Sequence, residues 1–459
     1  MSIFARSTVL GAVSLCLLLG SLRASAQPGL RAAVAKVDIT PKTHEVMWGF
    51  EDRVEPASST LDPLYARVLV LEAGGKRLAI VTLDLGRSFG ETSLDQLQAE
   101  VRKSSGISCL LVNASHTHSA PTVKDEYKGN PPEWERRALD GIAAAISDAA
   151  NHLQEARIGV GTGSVLIGHN RLHVNDDGTI SWFERNPTMI PTSPVDPTVT
   201  ILRIDTAKGD PLAILINYAC HPVVLGSDNP QYSADFPGIT NRVVEKSLGG
   251  KVESFFVQGA PGDINPYYAN TPIAQDAIKL RDWTGERLGQ EAARVAKSIH
   301  TESDPTASID FREETMHFKL RWDPEQFHAA LLKTLGPKTL ELMGSPIHPV
   351  VDARVTAVLI DKQIAIASVP GEAFVYFQEN WRARCPVPTA LFFGYTNGYH
   401  GYFPTIRAAS RGGYGAASAS TWVEVGAGER IVDWAVIQTY QMLGRYSELP
   451  DDLKESPYK

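Results

Sequence analysis

The stretch Asn113–Pro121, N-A-S-H-T-H-S-A-P, sets two histidines one residue apart where an apolar run ends. Cys109, Leu110, Leu111 and Val112 lead into it, and small, turn-forming residues close it, so it reads as a buried strand arriving at an open end. Alternate side chains of an extended segment share a face, and His116 and His118 are expected to emerge side by side. Neutral imidazole nitrogens suit zinc; the competing reading is a pair of surface histidines on a loop. Four more apolar runs end in residues able to bind or catalyse: His221, then Asp263 with Asn265, then Glu372, then Tyr399 with Tyr402. In α/β proteins ligands bind in the mouth beyond the strand ends. Loops are polar in any case, but that alone does not put ligand-competent types at successive ends.

The elements that must position these residues follow from periodicity. Ala32–Thr40 alternates as a strand and stops at Pro41. Tyr65–Glu72 and Arg77–Asp84, joined through Gly74-Gly75, form a hairpin pattern. Ser93–Ser105, with Leu94, Leu97 and Val101 on one side, and Glu133–Leu153 have helical spacing. Arg157–Val165, Thr198–Ile204, Leu212–Ala219 and Ser254–Val257 read as strands, Gly238–Leu248 and Ile273–Ile299 as helices. Gly168–Pro197 is long, polar and without clear periodicity, the kind of segment that is functional or mobile; it holds Arg171, Trp182 and Arg185. Beyond it the pattern predicts a strand (Ser308–Arg321), a helix (Asp323–Leu335), a hairpin (Asp352–Ile360 with Gln363–Val369) and helices at Phe374–Arg384 and Glu429–Leu443. The expected fold is α/β of the mixed α+β kind: mixed β-sheets flanked by helices, with a metal site at the C-terminal ends of the strands.

Composition narrows the class. The chain has 459 residues, 43% hydrophobic and 21% charged, the make-up of a globular protein with a sizeable core. A formal net charge of −8 with no block of Lys or Arg argues against a nucleic-acid partner. Residues 1–26 read as a secretory signal peptide: Arg6 is the positive start, Val9–Leu22 the apolar core and Ala24-Ser25-Ala26 the cleavage site. That run is too short for a comfortable membrane span. Cys16 follows Leu15 rather than a small residue, against a lipid anchor; an uncleaved N-terminal anchor is the alternative. The expected location is secreted or periplasmic. Cys109, Cys220 and Cys385 would then remain, an odd number that excludes a disulfide scaffold and suits buried thiols at Cys109 and Cys220.

A series of motifs runs along most of the chain: V-D-I-T-P at 37–41, M-W-G-F at 47–50, T-L-D-L-G at 82–86, S-H-T-H-S-A-P at 115–121, N-R at 170–171, C-H-P at 220–222, G-D-I-N-P at 262–266, V-P-G-E at 369–372 and N-G-Y-H-G-Y at 397–402. In order and spacing they resemble the neutral/alkaline, non-lysosomal ceramidase family. The resemblance implies a catalytic Zn2+ held by His116, His221, Glu372 and Tyr402. It casts His118 as the proton-handling histidine and Tyr414 as hydrogen-bond donor to the amide oxygen. Arg171 is then a cation beside the substrate, and Asp263 orients a ligand or its loop. A tyrosine ligand is unusual, because its phenol must lose a proton to the cation or bind weakly.

Three departures from the family pattern accompany the resemblance. Asn265 stands where the family carries a serine proposed as nucleophile; a carboxamide cannot supply an alkoxide, which leaves metal-activated water. Gly415 stands where an acidic residue is typical. Residues 27–459 are expected to form one catalytic domain without the family's C-terminal immunoglobulin-like domain. The expected activity is a zinc-dependent amidohydrolase acting on a small-molecule or lipid N-acyl amide, with transient membrane-surface contact and no obligate protein partner. The alternatives are a metal-dependent hydrolase of another amide or ester, and a non-catalytic ligand-binding homologue.

Overall fold

A computed structural model describes residues 29–343, 348–446 and 449–450; the signal-like residues 1–26 lie outside them. The larger sheet has eight strands: β1 (Arg31–Asp38), β2 (Tyr65–Ala73), β3 (Lys76–Leu83), β4 (Cys109–Ala114), β5 (Gln154–Ser164), β6 (Thr198–Thr206), β7 (Pro211–Tyr218) and β8 (Glu253–Gln258). Their spatial order is β8-β7-β6-β5-β1-β2-β3-β4. A second sheet holds β9 (Ile309–Lys319), β10 (Val350–Ile360), β11 (Ile364–Ser368) and β12 (Thr389–Phe393) in sequence order. The pairs β3/β4, β7/β8 and β11/β12 run parallel, and the other neighbours in both sheets antiparallel.

The layering follows from which face each apolar residue takes. Along β2, β3 and β4, residues Val68, Val70, Ala79, Val81, Leu110 and Val112 pack on α1 (Glu91–Ser105) and α2 (Glu133–Asn151). Their neighbours Leu69, Leu71, Leu78, Ile80 and Leu111 point the other way, into a core shared with Val358, Ile360, Ile366, Leu391 and Phe393 of the second sheet. Burial on both faces is why these strands read as unbroken apolar runs. α3 (Asp235–Ser247) and α4 (Ala277–Ser298) cover β6, β7 and β8. After α5 (Pro324–Met343), the outer face of the second sheet is covered by α6 (Val375–Arg384) and, past the short α7 (Ile406–Arg411), by α8 (Ala427–Met442). The result is four layers: helices, sheet, sheet, helices.

Three amides tie strand ends together, two of them across the sheets. Asn113 at the end of β4 donates to the Gly394 carbonyl at 2.6 Å and accepts from the Gln258 N–H at 3.1 Å. Gln258, ending β8, donates to the carbonyls of Ser115 and Cys220 at 2.8 and 2.9 Å. Asn217 of β7 donates to the Phe392 carbonyl of β12 at 2.8 Å. A buried hydrogen bond nets about 1 kcal/mol, against about 1.5–3 for each large apolar side chain buried. The shared apolar core therefore supplies the adhesion, and the amides fix which strand ends meet.

Two expectations change. The segment 168–197 is organised, not featureless: Gly168–Asn170 pairs with Ile264–Pro266, and Leu172–Val174 forms a hairpin with Ile180–Trp182. Ladders of three residues are too short to show periodicity. The helix expected to end at Leu335 continues to Met343 across a break at Gly336, whose φ of 75° and ψ of 165° are not helical. Cys109, Cys220 and Cys385 are all free, the first two buried.

Candidate active site

β4 ends at Ala114, so His116 and His118 do not share a strand face as alternation predicts. His116 instead adopts φ 71°, a left-handed conformation uncommon for a residue with a side chain. Its N–H donates to the Leu85 carbonyl at 2.9 Å. This turn brings the two rings edge to face, with their Nε2 atoms 3.2 Å apart. Sparsely populated backbone conformations of this kind persist where surrounding contacts over-determine them.

His221 follows β7, and its N–H donates to the Ile264 carbonyl at 3.0 Å. Glu372 and Tyr402 are register partners on two short parallel strands, Glu372–Ala373 and Tyr402–Phe403, which explains how residues thirty positions apart arrive together. His116, His221 and Glu372 are buried, and one ligand atom from each lies within 4.8 Å of the others.

The protonation pattern shows what this corner accepts. His116 Nδ1 lies 2.5 Å from the Gly86 carbonyl and His221 Nδ1 2.7 Å from the Pro261 carbonyl. A carbonyl only accepts, so each Nδ1 carries the hydrogen and each Nε2 presents a lone pair. Those lone pairs face Glu372 Oε2 at 3.5 and 3.0 Å. Burial lowers the pKa of His116 to about 4 and that of His221 below its ordinary value, so both are neutral at pH 7. Burial opposes the charge on Glu372, and the hydrogen bond from Tyr399 favours it. Three acceptors converging without a hydrogen between them fit a cation, and two imidazoles with a carboxylate fit a divalent transition metal.

Two tyrosines fix the carboxylate. Tyr399 donates to Glu372 Oε1 at 2.5 Å and Tyr395 to Oε2 at 3.2 Å. Tyr395 also stacks on His116 with ring centroids 4.2 Å apart. It is fully buried and has φ 47°. Tyr395 was not singled out from the sequence, although it lies in the G-Y-T-N run that β12 releases. A tyrosine directly before a T-N turn at a strand exit is the signal that was available.

Arg171 organises the other wall. It donates to Tyr402 Oη at 2.8 Å, to Asn265 Oδ1 at 3.0 Å and to the Gly262 carbonyl at 2.7 Å. Its guanidinium lies 5.2 Å from the ring centres of both Trp182 and Tyr414. Burial works against its charge, but the phenol oxygens of Tyr402 and Tyr414 together with Glu372 raise its pKa overall. Burial pushes the Tyr402 phenol well above its ordinary value, with Arg171 pulling the other way. Asn265 and Asp263 stand behind this arginine. Asn265 Nδ2 donates to the Glu184 carbonyl, and Asp263 accepts from Asn170 and from the Val375 N–H, each at 2.8 Å. Neither lines the cavity that holds the histidines. Asn265 holds Arg171, and Asp263 holds the start of α6.

That cavity has a volume of about 450 Å³ and reaches from His116, His118 and Glu372 outward past Tyr402 and Tyr414 to Trp48, Phe50 and Trp422. Two glycines shape it. A Cβ on Gly49 (φ 102°) would fall 2.3 Å from the His118 ring, and one on Gly415 (φ 74°) 2.9 Å from the Tyr402 ring. Gly415, a departure from the expected acidic residue, is thus the residue that lets the loop lie against Tyr402.

Fold and geometry define a four-layer α/β protein with a buried two-histidine, one-carboxylate corner under an aromatic-walled cavity. Residues 31–286, just over half of the chain, match the N-terminal region of neutral/alkaline non-lysosomal ceramidase, and the chain belongs to that family. The matched residues include His116, His118, Arg171 and His221; Glu372, Tyr402 and Tyr414 lie beyond them. Neutral ceramidase B of Dictyostelium discoideum is 23% identical over 272 residues, which are 54% of this chain and 37% of that relative. Neutral ceramidase A of the same organism is 24% identical over 225 residues, 44% of this chain and 30% of the relative. The match thus spans well under half the length of these curated relatives. Among solved structures, a ceramidase complexed with C2 superposes with a TM-score of 0.72 at 18% identity, covering 94% of this chain and 78% of that one. The neutral ceramidase from Pseudomonas aeruginosa gives 0.70 at 19% identity, with 90% and 75% covered.

Proposed function

We propose that the protein is a zinc-dependent amidohydrolase that cleaves a lipid N-acyl amide of the ceramide type. The observation that carries this reading is the convergence of His116 Nε2, His221 Nε2 and Glu372 Oε2 at the floor of an aromatic-walled cavity, in a chain of the ceramidase family. His116, His221 and Glu372 would hold the metal, with the Tyr402 phenol as fourth ligand. A divalent ion there supplies Lewis-acid polarisation of a carbonyl and lowers the pKa of water.

The chain's own residues supply the rest. His118 Nε2 lies 3.2 Å from His116 Nε2, within reach of the nucleophile's proton, and burial keeps His118 neutral and able to accept it. Tyr414 lines the cavity, and there it would donate to the amide oxygen as negative charge develops. Arg171, bonded to Tyr402, favours an anionic phenol by its charge. Asn265 has no hydroxyl from which an alkoxide could form, so the attacking group is water. We take residues 27–459 as one catalytic unit. We place it outside the cytoplasm, on the strength of the signal-like residues 1–26; among the described residues no helix is long and apolar enough to cross a membrane.

The test is metal content of the purified protein, followed by chelation, zinc reconstitution and hydrolysis of N-acyl-sphingosine beside short N-acyl amines and esters. Zinc near one per chain and chelator-sensitive release of fatty acid from the sphingosine amide are expected. Faster turnover of a short amide or ester would favour the second reading, for which the departures at Gly415 and Asn265 speak. Binding of the lipid without turnover would show a non-catalytic homologue.

A further inference from the structure

A second concavity, of about 760 Å³, lies beside the first, lined by Leu172, Val174, Ile180, Phe374, Tyr376 and Ile406 and edged by Arg407 and Arg411. The two are close neighbours through the chain. Asn170 and Leu172 on the groove flank Arg171, and Gly412 on the groove precedes Tyr414 at the mouth of the histidine cavity by two residues. Trp182, ending the hairpin that carries Val174 and Ile180, packs edge-on against Tyr414 with ring centroids 5.1 Å apart.

The unusual feature is what this face leaves in water. Ile406 is 54% exposed, Val425 48%, Tyr376 45% and Val174 39%, with Trp182 and Tyr414 beside them. Ile406 sits next to the loop that carries Val425, its Cδ1 3.8 Å from where a Cβ on Gly426 would stand. Single exposed apolar residues need no explanation, but a contiguous set drawn from a hairpin, α6, α7 and the loop before α8 does. Arg407 and Arg411 are exposed and make no ion pair among the described residues, in a chain whose net charge is −8. Two carboxylates lie on the groove itself, the buried Asp263 and Glu429, which accepts the Ile406 N–H; Asp177 at the hairpin tip binds Thr179, leaving Asp176 beside it.

We propose that this face docks on a lipid bilayer carrying anionic headgroups, with Ile406, Val425, Tyr376 and Val174 entering the interface and Arg407 and Arg411 meeting the phosphates. Apolar side chains beside cations are the chemistry of interfacial binding. Docking here sets the Trp182–Tyr414 mouth against the membrane, so that a lipid amide reaches the cavity without crossing water. This deepens the proposed reading of the substrate and rests on it for its purpose, but not for its test.

That test is co-sedimentation of the full chain with phosphatidylcholine vesicles, with and without phosphatidylserine. Wild-type protein is expected to bind, more tightly to the anionic vesicles. The pair Arg407→Gln and Arg411→Gln should lose about fivefold in affinity per residue on anionic vesicles only. The pair Ile406→Asp and Val425→Asp should abolish binding to both, while Ile437→Asp, on exposed α8 surface outside both cavities, leaves it unchanged. Thermal melting and turnover of a short soluble amide should be unaltered in all variants. Absence of wild-type binding, or equal binding by the Ile406/Val425 pair, would overturn the proposal, as would capture by a protein partner through this face without vesicle binding. Because sedimentation reads no turnover, failure of the hydrolase reading leaves this outcome separately visible.

Discussion

At the floor of the cavity Glu372 has both oxygens bonded by tyrosines, His116 and His221 have their Nδ1 hydrogens taken by carbonyls, and all three side chains are almost wholly buried. At the mouth, Tyr414 is 44% and Trp182 46% exposed, and they are held by ring contacts with each other and with Arg171. The floor is over-determined and the mouth adaptable. A metal corner needs fixed lone pairs, because their direction sets coordination, and a lipid entrance needs rings that can shift around an apolar chain. On this reading, floor substitutions should change metal affinity, and mouth substitutions should change turnover with the metal still bound.

The largest effect is expected from His116→Ala, which removes one of the three converging acceptors. Bound zinc should fall to background and amide hydrolysis by several orders of magnitude, since lowering the pKa of water towards about 7 is the metal's contribution. Retained zinc with retained activity would remove the floor from the chemistry. Next comes Tyr414→Phe at the mouth. If its hydroxyl meets the developing oxyanion, kcat should drop by about 10²–10³ with zinc content unchanged; a change in KM alone would make Tyr414 a wall. Tyr395→Phe is smaller and belongs to the floor. It keeps the ring stacked on His116 but deletes the hydrogen bond to Glu372 Oε2, the oxygen nearest both histidines. Zinc affinity, measured by competition with a chromogenic chelator, should weaken by about 10- to 100-fold, the usual cost of losing such an orienting partner. An unchanged affinity would show that Tyr399 alone is sufficient.

The layered fold was legible because strands buried on both faces leave unbroken apolar runs, and α1, α2 and α4 leave helical stripes. The residues at the strand ends were legible because imidazole and carboxylate types recur there. What periodicity could not show was how they meet. His116 reaches its place through a left-handed turn, not strand alternation, and Glu372 meets Tyr402 through a two-residue ladder. Asn113 and Asn217, the amides that join the sheets, read as minor interruptions in apolar strands, since a hydrogen bond between sheets has no local period. That Asn265 faces Arg171 and Asp263 the start of α6 depends on the direction of one short ladder, Gly168–Asn170 with Ile264–Pro266.

The smallest effect sharpens the comparison most, because Asn265 belongs to neither half. Its Oδ1 accepts from Arg171 and its Nδ2 donates to the Glu184 carbonyl, so the carboxamide spans the space between the arginine and the loop at 184. Asn265→Ser restores the residue type that the family resemblance expects. If that position could present a nucleophile, activity would rise or a covalent acyl intermediate would accumulate. The geometry predicts otherwise. A serine hydroxyl is shorter and can satisfy one of the two partners, leaving the other buried and unmade at a cost of about 1–3 kcal/mol. Thermal stability should fall, zinc content should hold, and turnover should decline only a few-fold as Arg171 loosens its grip on Tyr402. Rapid-quench mass spectrometry should find no acyl-protein in this variant or in wild type. A trapped adduct on residue 265 would reassign it from holding the arginine to carrying out the chemistry.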